Sequence, residues 1–274
     1  MNLPTEPLAP LALPRGPRPP DSAGDDPDVV TYALRLGDDA LVLAQRLCEW
    51  AACSPQLEED VALMNLALDL LGQSRSLLTL AGAREGRGRD EDDLAFLRDE
   101  PDFVNVQLVE LANGDFGRTM ARQLLVAAYA VPLWQGLCAS ADADLAGIAG
   151  KAVKEVTYHL DHARSWVVRL GDGTEQSHRR VQAGLDEVWP YALELFEADE
   201  LVQRLVARGV APDPTALREQ WSATVQEVLA EATLSVPETD WRPTGGRRGV
   251  HTEAFGYLLA ELQHVHRSHP GASW

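Results

Sequence analysis

The stretch Lys151-Ala-Val-Lys-Glu155-Val-Thr-Tyr158-His159-Leu-Asp-His162 decides how this chain is interpreted. At ~3.6 residues per turn, Glu155, His159 and His162 lie on one face of a helix. A carboxylate and two imidazoles in this arrangement look like half of a di-metal site in a four-helix bundle. Such a site takes a Glu from each of two helices and a Glu-x-x-His motif from each of the other two. The spacing departs from that motif, because the third residue after Glu155 is Tyr158.

The composition limits the class of protein. The chain has 274 residues, of which 45% are hydrophobic, so it can bury a sizeable core as one large domain or two ordinary ones. The formal net charge of −18 argues against binding along a nucleic-acid backbone, since phosphate contacts need clustered Lys and Arg. An acidic surface suits solubility or a basic protein partner.

Cysteine usage and apolar runs indicate the compartment. Cys48, Cys53 and Cys138 are scattered and odd in number, which indicates neither a disulfide framework nor a zinc site. The start of the chain shows no signal-peptide pattern, and the longest apolar stretch, around 124–134, is too short to span a bilayer. The sequence therefore predicts a cytoplasmic protein that binds neither nucleic acid nor membrane.

The chain divides into a proline-rich tail and a helical domain. Residues 1–27 carry eight prolines and no apolar periodicity, which predicts a disordered tail. Residues 28–274 show helical periodicity almost throughout and no alternating strand pattern, which predicts a single all-α domain. Long helices are expected at about 28–52, 54–81, 115–139 and 142–170, followed by shorter ones at about 174–198, 213–234 and 251–267. The long connection between the second and third suits a bundle that is not simply up-down-up-down.

The second long helix carries a marked apolar pattern. Its three-four spacing is typical of a helix that packs in a bundle. The residues concerned are Leu57, Val61, Met64, Leu68, Leu71 and Leu78.

The long helices offer too few ligands for two metal ions. The first offers Glu49, for which a solvated polar stripe is the alternative interpretation. The second offers Asp69, but Gly72 stands three residues later, where a histidine is needed. Between Asp115 and Asp142 the third helix has no Asp, Glu or His, so it cannot supply a bridging carboxylate.

A polar network is the expected replacement for the metal. The vestige of a site consists of Glu49, Asp69, Glu155, His159 and His162. Lys151 lies one turn before Glu155 on the same face, and its ammonium could supply the positive charge that a metal would bring. An interior carboxylate is tolerated when it is paired and hydrogen-bonded. We therefore expect a network of Lys151, Glu155, His159 and Asp69, with ordinary surface pairs along the helix as the alternative.

Several longer motifs are similar to those of one known family. They are Tyr32-Ala-Leu-Arg-Leu-Gly37-Asp38, Gln45-Arg-Leu-Cys-Glu49-Trp50, Leu68-Asp69-Leu-Leu-Gly72-Gln73-Ser-Arg75, Phe96-Leu-Arg98-Asp99-Glu100, Lys154-Glu155-x-x-Tyr158-His159-Leu160, Leu193-x-x-Phe196-x-Ala198-Asp199-Glu200, Thr244-Gly-Gly-Arg-Arg-Gly249-x-His251-Thr-Glu253 and the ending Pro270-Gly-x-x-Trp274. Through them the chain from about residue 30 onward resembles the PaaC family, the C subunit of bacterial phenylacetyl-CoA 1,2-epoxidase.

The resemblance implies a fold and a role. It implies a ferritin-like four-helix-bundle core with additional C-terminal helices and no di-iron centre of its own. In that family the C subunit pairs with a catalytic A subunit, which carries the di-iron centre and binds phenylacetyl-CoA, and a reductase serves the complex. The C subunit is a structural component that the A subunit needs for solubility and activity. The alternative is a di-iron oxygenase that is catalytic in its own right.

Four further residues are candidates for contact with a partner or with coenzyme A. Arg247 and Arg248 stand in a Gly-rich loop, where two guanidiniums can hold phosphates or acidic groups. Trp241 and Trp274 fall in expected loops and are candidate interface anchors. For the arginine loop the alternative is a helix-capping connector with solvated side chains. Whether the chain also pairs with itself as a homodimer is left open.

Overall fold

Every regular element in the described part of the chain is a helix. The computed structural model describes residues 26–272. The α-helices are α1 (Pro27–Cys48), α2 (Leu57–Arg84), α3 (Glu91–Phe96), α4 (Gln107–Glu110), α5 (Phe116–Leu137), α6 (Ala143–Gly171), α7 (Glu175–Ala192), α8 (Glu200–Ala207), α9 (Pro214–Glu231) and α10 (Glu253–Ser268). Over these residues there is no strand, which confirms the all-α prediction. No helix in that range is long and apolar enough to cross a membrane.

Four long helices form the core. α1 packs along α2 and α5 packs along α6, while α2 also contacts α6. The connection from α2 to α5 runs through α3 and α4. It is the long crossover that a ferritin-like bundle requires, so the predicted fold class is confirmed. α7 and α9 cover α5, and α10 packs on the crossover.

Acidic side chains cap three of the long helices. Asp115 and Asp142 cap α5 and α6 by accepting backbone N–H groups of the first turn. Pro27, assigned from the sequence to the disordered tail, is instead the first residue of α1, and Asp26 caps it. The rest of that tail, residues 1–25, lies outside the described residues. α2 begins at Leu57 rather than at the expected position of about 54, and the Ser54 hydroxyl donates to the carbonyl of Trp50 instead of capping the helix.

The buried face of α2 is not the one that the apolar spacing singled out. The core side of this helix is lined by Leu63, Leu66, Leu70, Leu77 and Leu78, each at most 6% exposed. Of the six residues named from the sequence, only Leu78 is among them. Leu57, Val61 and Leu68 are more than half exposed. Both faces of α2 carry leucines at helical spacing, so the pattern alone could not tell which one packs inward.

An ion pair inside the protein ties α1 to the crossover. Asp38 is completely buried and pairs with both terminal guanidinium nitrogens of Arg98, which is 4% exposed. The same carboxylate accepts the backbone N–H of Val104 at 3.0 Å. The guanidinium carbon of Arg98 lies 4.1 Å from the centre of the Phe103 ring. The charge of Asp38 is therefore fully matched, as a buried carboxylate requires.

Replacing Asp38 tests this pair. Asp38→Asn keeps the size of the side chain but leaves the Arg98 charge buried without a counter-ion. The expected loss in the free energy of unfolding is about 3–5 kcal/mol, measured by urea denaturation. Glu175→Gln, which removes an ion pair with Arg179 at the surface, is the control and should leave the unfolding midpoint unchanged. An equally small effect of Asp38→Asn would contradict the assignment.

Candidate functional site

A small cavity lies at the centre of the four-helix core. Its volume is about 60 Å³, and most of its lining is apolar. Each core helix nevertheless adds one carboxylate, amide or imidazole to the wall: Asp39 from α1, Gln73 from α2, Gln123 from α5 and His159 from α6. The metals of a di-metal bundle lie among side chains that project inward from four helices in this way. The cavity therefore marks the place where such a site would be.

The two histidines of α6 bind carboxylates of α2. His159 Nε2 lies 3.1 Å from Asp69 Oδ2, and His162 Nε2 lies 2.9 Å from Glu59 Oε2. His159 is 5% exposed, and burial lowers its pKa below the usual 6.5, although the hydrogen bond and charge of Asp69 act in the opposite direction. At neutral pH the imidazole of His159 is therefore uncharged, and its Nε2–H donates a hydrogen bond to the carboxylate of Asp69.

Lys151 does not belong to this network, so the predicted pairing was wrong. Its side chain is exposed and makes no hydrogen bond or ion pair with any residue in the range 26–272. Glu155, one turn later, accepts a hydrogen bond from Gln73 Nε2 at 2.9 Å instead. The neutral amide of Gln73 thus provides a hydrogen-bond donor for the half-buried carboxylate of Glu155. The ammonium of Lys151 stays hydrated at the surface.

Glu49 lies away from the other residues of the expected site. It follows the last residue of α1 and accepts hydrogen bonds from Arg46 at 2.6 Å and from Asn113 at 3.0 Å. Its carboxylate thus joins the end of α1 to the loop before α5. The set of residues predicted from spacing does not converge on one point.

Gln123, like Asp39 and Gln73, is a residue of the cavity wall that the sequence did not single out as part of a site. It is 4% exposed, its side chain makes no hydrogen bond with the described residues, and its Oε1 atom is buried without a partner. A search for acids and histidines passes over it, because the position holds a neutral amide. The only signal was a polar residue within an otherwise apolar run of α5.

The side chains at this centre do not fit two iron ions. A di-iron site of this type needs four carboxylates and two histidines. The cavity wall supplies one carboxylate, Asp39, which is bound to Arg247 at 2.8 Å, and one imidazole, His159, which is bound to Asp69. In the part of the chain that is described, no three His, Cys, Asp or Glu side chains are grouped so that they could hold a metal ion.

Arg247 is an internal residue, which corrects its assignment as a partner or coenzyme A contact. Its guanidinium binds both oxygens of Asp39 and also donates to the carbonyls of Arg35 and Val104 at 3.1 and 3.0 Å. Because of these internal hydrogen bonds, the guanidinium of Arg247 is not available to bind a partner or coenzyme A. Arg248 is exposed and is paired with Glu197 at 2.5 Å. The two guanidiniums therefore do not form one anion site.

Of the two tryptophans that are candidates for a partner contact, the structure describes only Trp241. Trp241 is 57% exposed and meets Tyr191 edge to face, with ring centres 5.2 Å apart. It stays a candidate for a partner contact. Trp274 lies outside the described residues.

The glycines of the arginine loop serve close packing. The buried carboxylate of Glu194 accepts the backbone N–H groups of Gly245 and Gly246 at 2.8 and 2.7 Å and that of Gln107 at 2.7 Å. A Cβ atom on Gly246 would lie 2.2 Å from the carbonyl oxygen of Asn105. The loop 244–249, here called the clasp, therefore packs closely against the crossover and connects it to the C-terminal region.

A pair of Gly→Ala substitutions tests the clasp. Gly246→Ala should destabilise the protein by about 1–3 kcal/mol, because the backbone must move to make room. Gly147→Ala, in α6 where nothing lies within 4 Å of an added Cβ, should be neutral or stabilising by up to about 1 kcal/mol. Thermal and urea unfolding measure both. Similar effects of the two substitutions would contradict the close contact.

The lowered pKa of His159 predicts a pH dependence. The imidazole of His159 binds a proton more readily in the unfolded chain than in the folded one. The stability that comes from burying the neutral imidazole is therefore fully present above pH 6.5, the pKa in the unfolded chain, and is lost as the pH falls through the pKa in the folded protein. The free energy of unfolding of the wild type should therefore decrease more between about pH 6.5 and 5 than that of His159→Gln. His264→Gln, at an exposed position of α10, should retain the wild-type profile. Parallel profiles for all three proteins would refute the prediction.

Comparisons with known proteins identify the family of the chain. The family model described as phenylacetic acid catabolic protein matches residues 18–274. The C subunit of 1,2-phenylacetyl-CoA epoxidase from Escherichia coli (strain K12) is 48% identical over 246 residues, which is 90% of this chain and 99% of the relative. Among solved structures, protein 19 with aldehyde deformylating oxidase activity from Synechococcus is 21% identical with a TM-score of 0.49, over 76% of this chain and 88% of that one. The chain thus belongs to the PaaA_PaaC family of phenylacetic acid catabolic proteins, and its resemblance to the C subunits of that family is confirmed.

Proposed function

We propose that this chain is the non-catalytic structural subunit of a multicomponent di-iron oxygenase that epoxidises the ring of phenylacetyl-CoA in aerobic phenylacetate degradation. The relative that is 48% identical is by name the C subunit of 1,2-phenylacetyl-CoA epoxidase, so other subunits are implied. In this proposal the catalytic A subunit holds the di-iron centre and the substrate, and a reductase completes the complex. The present chain binds the A subunit, keeps it folded and soluble, and needs no cofactor.

One observation carries this proposal: Gln123 stands on the core helix that should supply a bridging carboxylate. A neutral amide at this position adds no negative charge to balance a metal ion. The one carboxylate on the cavity wall, Asp39, is already balanced by Arg247, and His159 is neutral. Two divalent ions would therefore be buried without counter-charge, which is prohibitively unfavourable.

The rival is a di-iron oxygenase that works by itself. It would have to use Glu49, Asp69, Glu155, His159 and His162. Glu49 is bound at the end of α1, and the histidines are bound to carboxylates of α2. These groups would have to leave their partners and move together before a metal could bind, which favours the structural role.

Reconstitution separates the two functions. The A subunit, expressed with ample iron, is assayed for ring epoxidation alone, with the wild-type chain and with the variant His159→Gln. We expect activity to require the chain and to change by less than about twofold in the variant, because no reacting group lies there. The complex should hold about two iron ions, whereas the isolated chain should hold almost none. Two iron ions and epoxidation by the isolated chain would overturn the proposal.

A further inference from the structure

The face of α2 that points away from the core carries a continuous apolar line, here called the α2 seam. It consists of Leu57, Val61, Leu68 and Leu71, which are exposed, and of Met64, which is partly buried against the core. Steps of four and three residues keep these side chains on one side of the helix over about 21 Å. Leu57 is 75% exposed, Val61 55% and Leu68 64%.

An apolar outer face is unusual for a helix at the surface of a bundle. Such a helix normally places polar residues opposite its buried stripe. α2 instead has leucines on both sides, those of the core and those of the seam. A contiguous exposed apolar patch marks a site of interaction, and this alternation of three and four is the spacing at which a second helix interdigitates.

The neighbouring helix α6 extends the seam. The contacts Asp69–His159 and Gln73–Glu155 join α2 to α6 on either side of Leu71, so Tyr158 lies level with the end of the seam. Tyr158 is 52% exposed. An aromatic side chain with a polar tip is typical of the edge of a protein interface.

Two free positive charges lie beside Tyr158. Lys151 and Lys154 are the only lysines in the chain. Both are exposed on α6, Lys154 one turn and Lys151 two turns before Tyr158, and neither has an ion pair among the described residues. Arg75 of α2, also exposed, follows the end of the seam but is already paired with Glu91 at 3.1 Å, so the two lysines carry the unpaired charge. In a chain with a net charge of −18, this end of the patch is therefore locally basic.

We propose that the α2 seam, with Tyr158, Lys151 and Lys154 at its end, docks an amphipathic helix of the catalytic subunit. That helix presents an apolar stripe to the seam and acidic side chains to the two lysines. The inference rests on the proposed function, since it takes the partner from the subunit role. Self-association through the same face is disfavoured, because two copies with a net charge of −18 repel one another.

Single substitutions in the seam test its role. Leu68→Glu and Val61→Glu place a carboxylate in the apolar contact and should weaken binding to the purified A subunit by about 30-fold or more. Val265→Glu on α10 is the matched control, because Val265 is 53% exposed, as Val61 is 55% exposed. It should change the dissociation constant by less than about threefold. Since all three side chains are exposed, melting temperatures should stay near that of the wild type.

Charge reversal tests the basic end. The double variant Lys151→Glu with Lys154→Glu should weaken binding about tenfold and should remove much of its dependence on ionic strength. Arg87→Glu with Arg218→Glu changes the net charge by the same amount at two exposed positions that make no hydrogen bond or ion pair with the described residues. This control should bind nearly as well as the wild type. Equal effects of the two double variants would show that only total charge matters, which contradicts the assignment of the lysines.

The outcomes separate this inference from the proposed function. If the wild type binds the A subunit and Leu68→Glu binds equally well, the seam is not the interface, whereas the structural role stands. If the wild type does not bind the A subunit at all, the proposed function fails and the inference fails with it. If sedimentation shows the isolated chain to be a dimer that Leu68→Glu dissociates, a second copy occupies the seam and the inference is overturned.

Discussion

The ion pair between Asp39 and Arg247 is the interaction on which the centre of this protein depends. Asp39 lies on the wall of the central cavity, and Arg247 comes from a loop near the other end of the chain. The guanidinium also holds the carbonyls of Arg35 and Val104, and Asp39 accepts the backbone N–H of Val106. One buried cation thereby joins α1, the crossover and the C-terminal region. It provides the positive charge that the sequence suggested Lys151 would provide.

The centre is electrically balanced as a consequence. Asp39 is matched by Arg247, Gln73 and Gln123 are neutral, and His159 is kept uncharged by burial. A bundle that binds metals concentrates negative charge at this place and relies on the metals to neutralise it. Here the chain neutralises itself, so the fold can be complete without an ion. This is the physical basis of the structural role that we propose for this member of the phenylacetic acid catabolic family.

The two apolar faces of α2 connect the fold to that role. The inner face builds the core of the chain, and the outer face has no covering element among residues 26–272. Lys151 and Lys154 lie on the side of α6 opposite its buried residues and are exposed. The polar contacts between α2 and α6 hold the seam and the lysines in one rigid surface. An interface on rigid helices loses little conformational entropy when a partner binds.

The sequence by itself determined the helical class, the four long helices, the crossover and the lack of acids in α5, because periodicity and composition are local properties. The family resemblance that its motifs indicated was also confirmed. Tertiary structure alone decided that α2 packs through Leu63 and Leu66 rather than through the seam, since a helical period defines a stripe but not its direction. It also decided that Arg247 is buried beside Asp39. That pair joins residues far apart in the chain, and no spacing rule relates them until the backbone has folded.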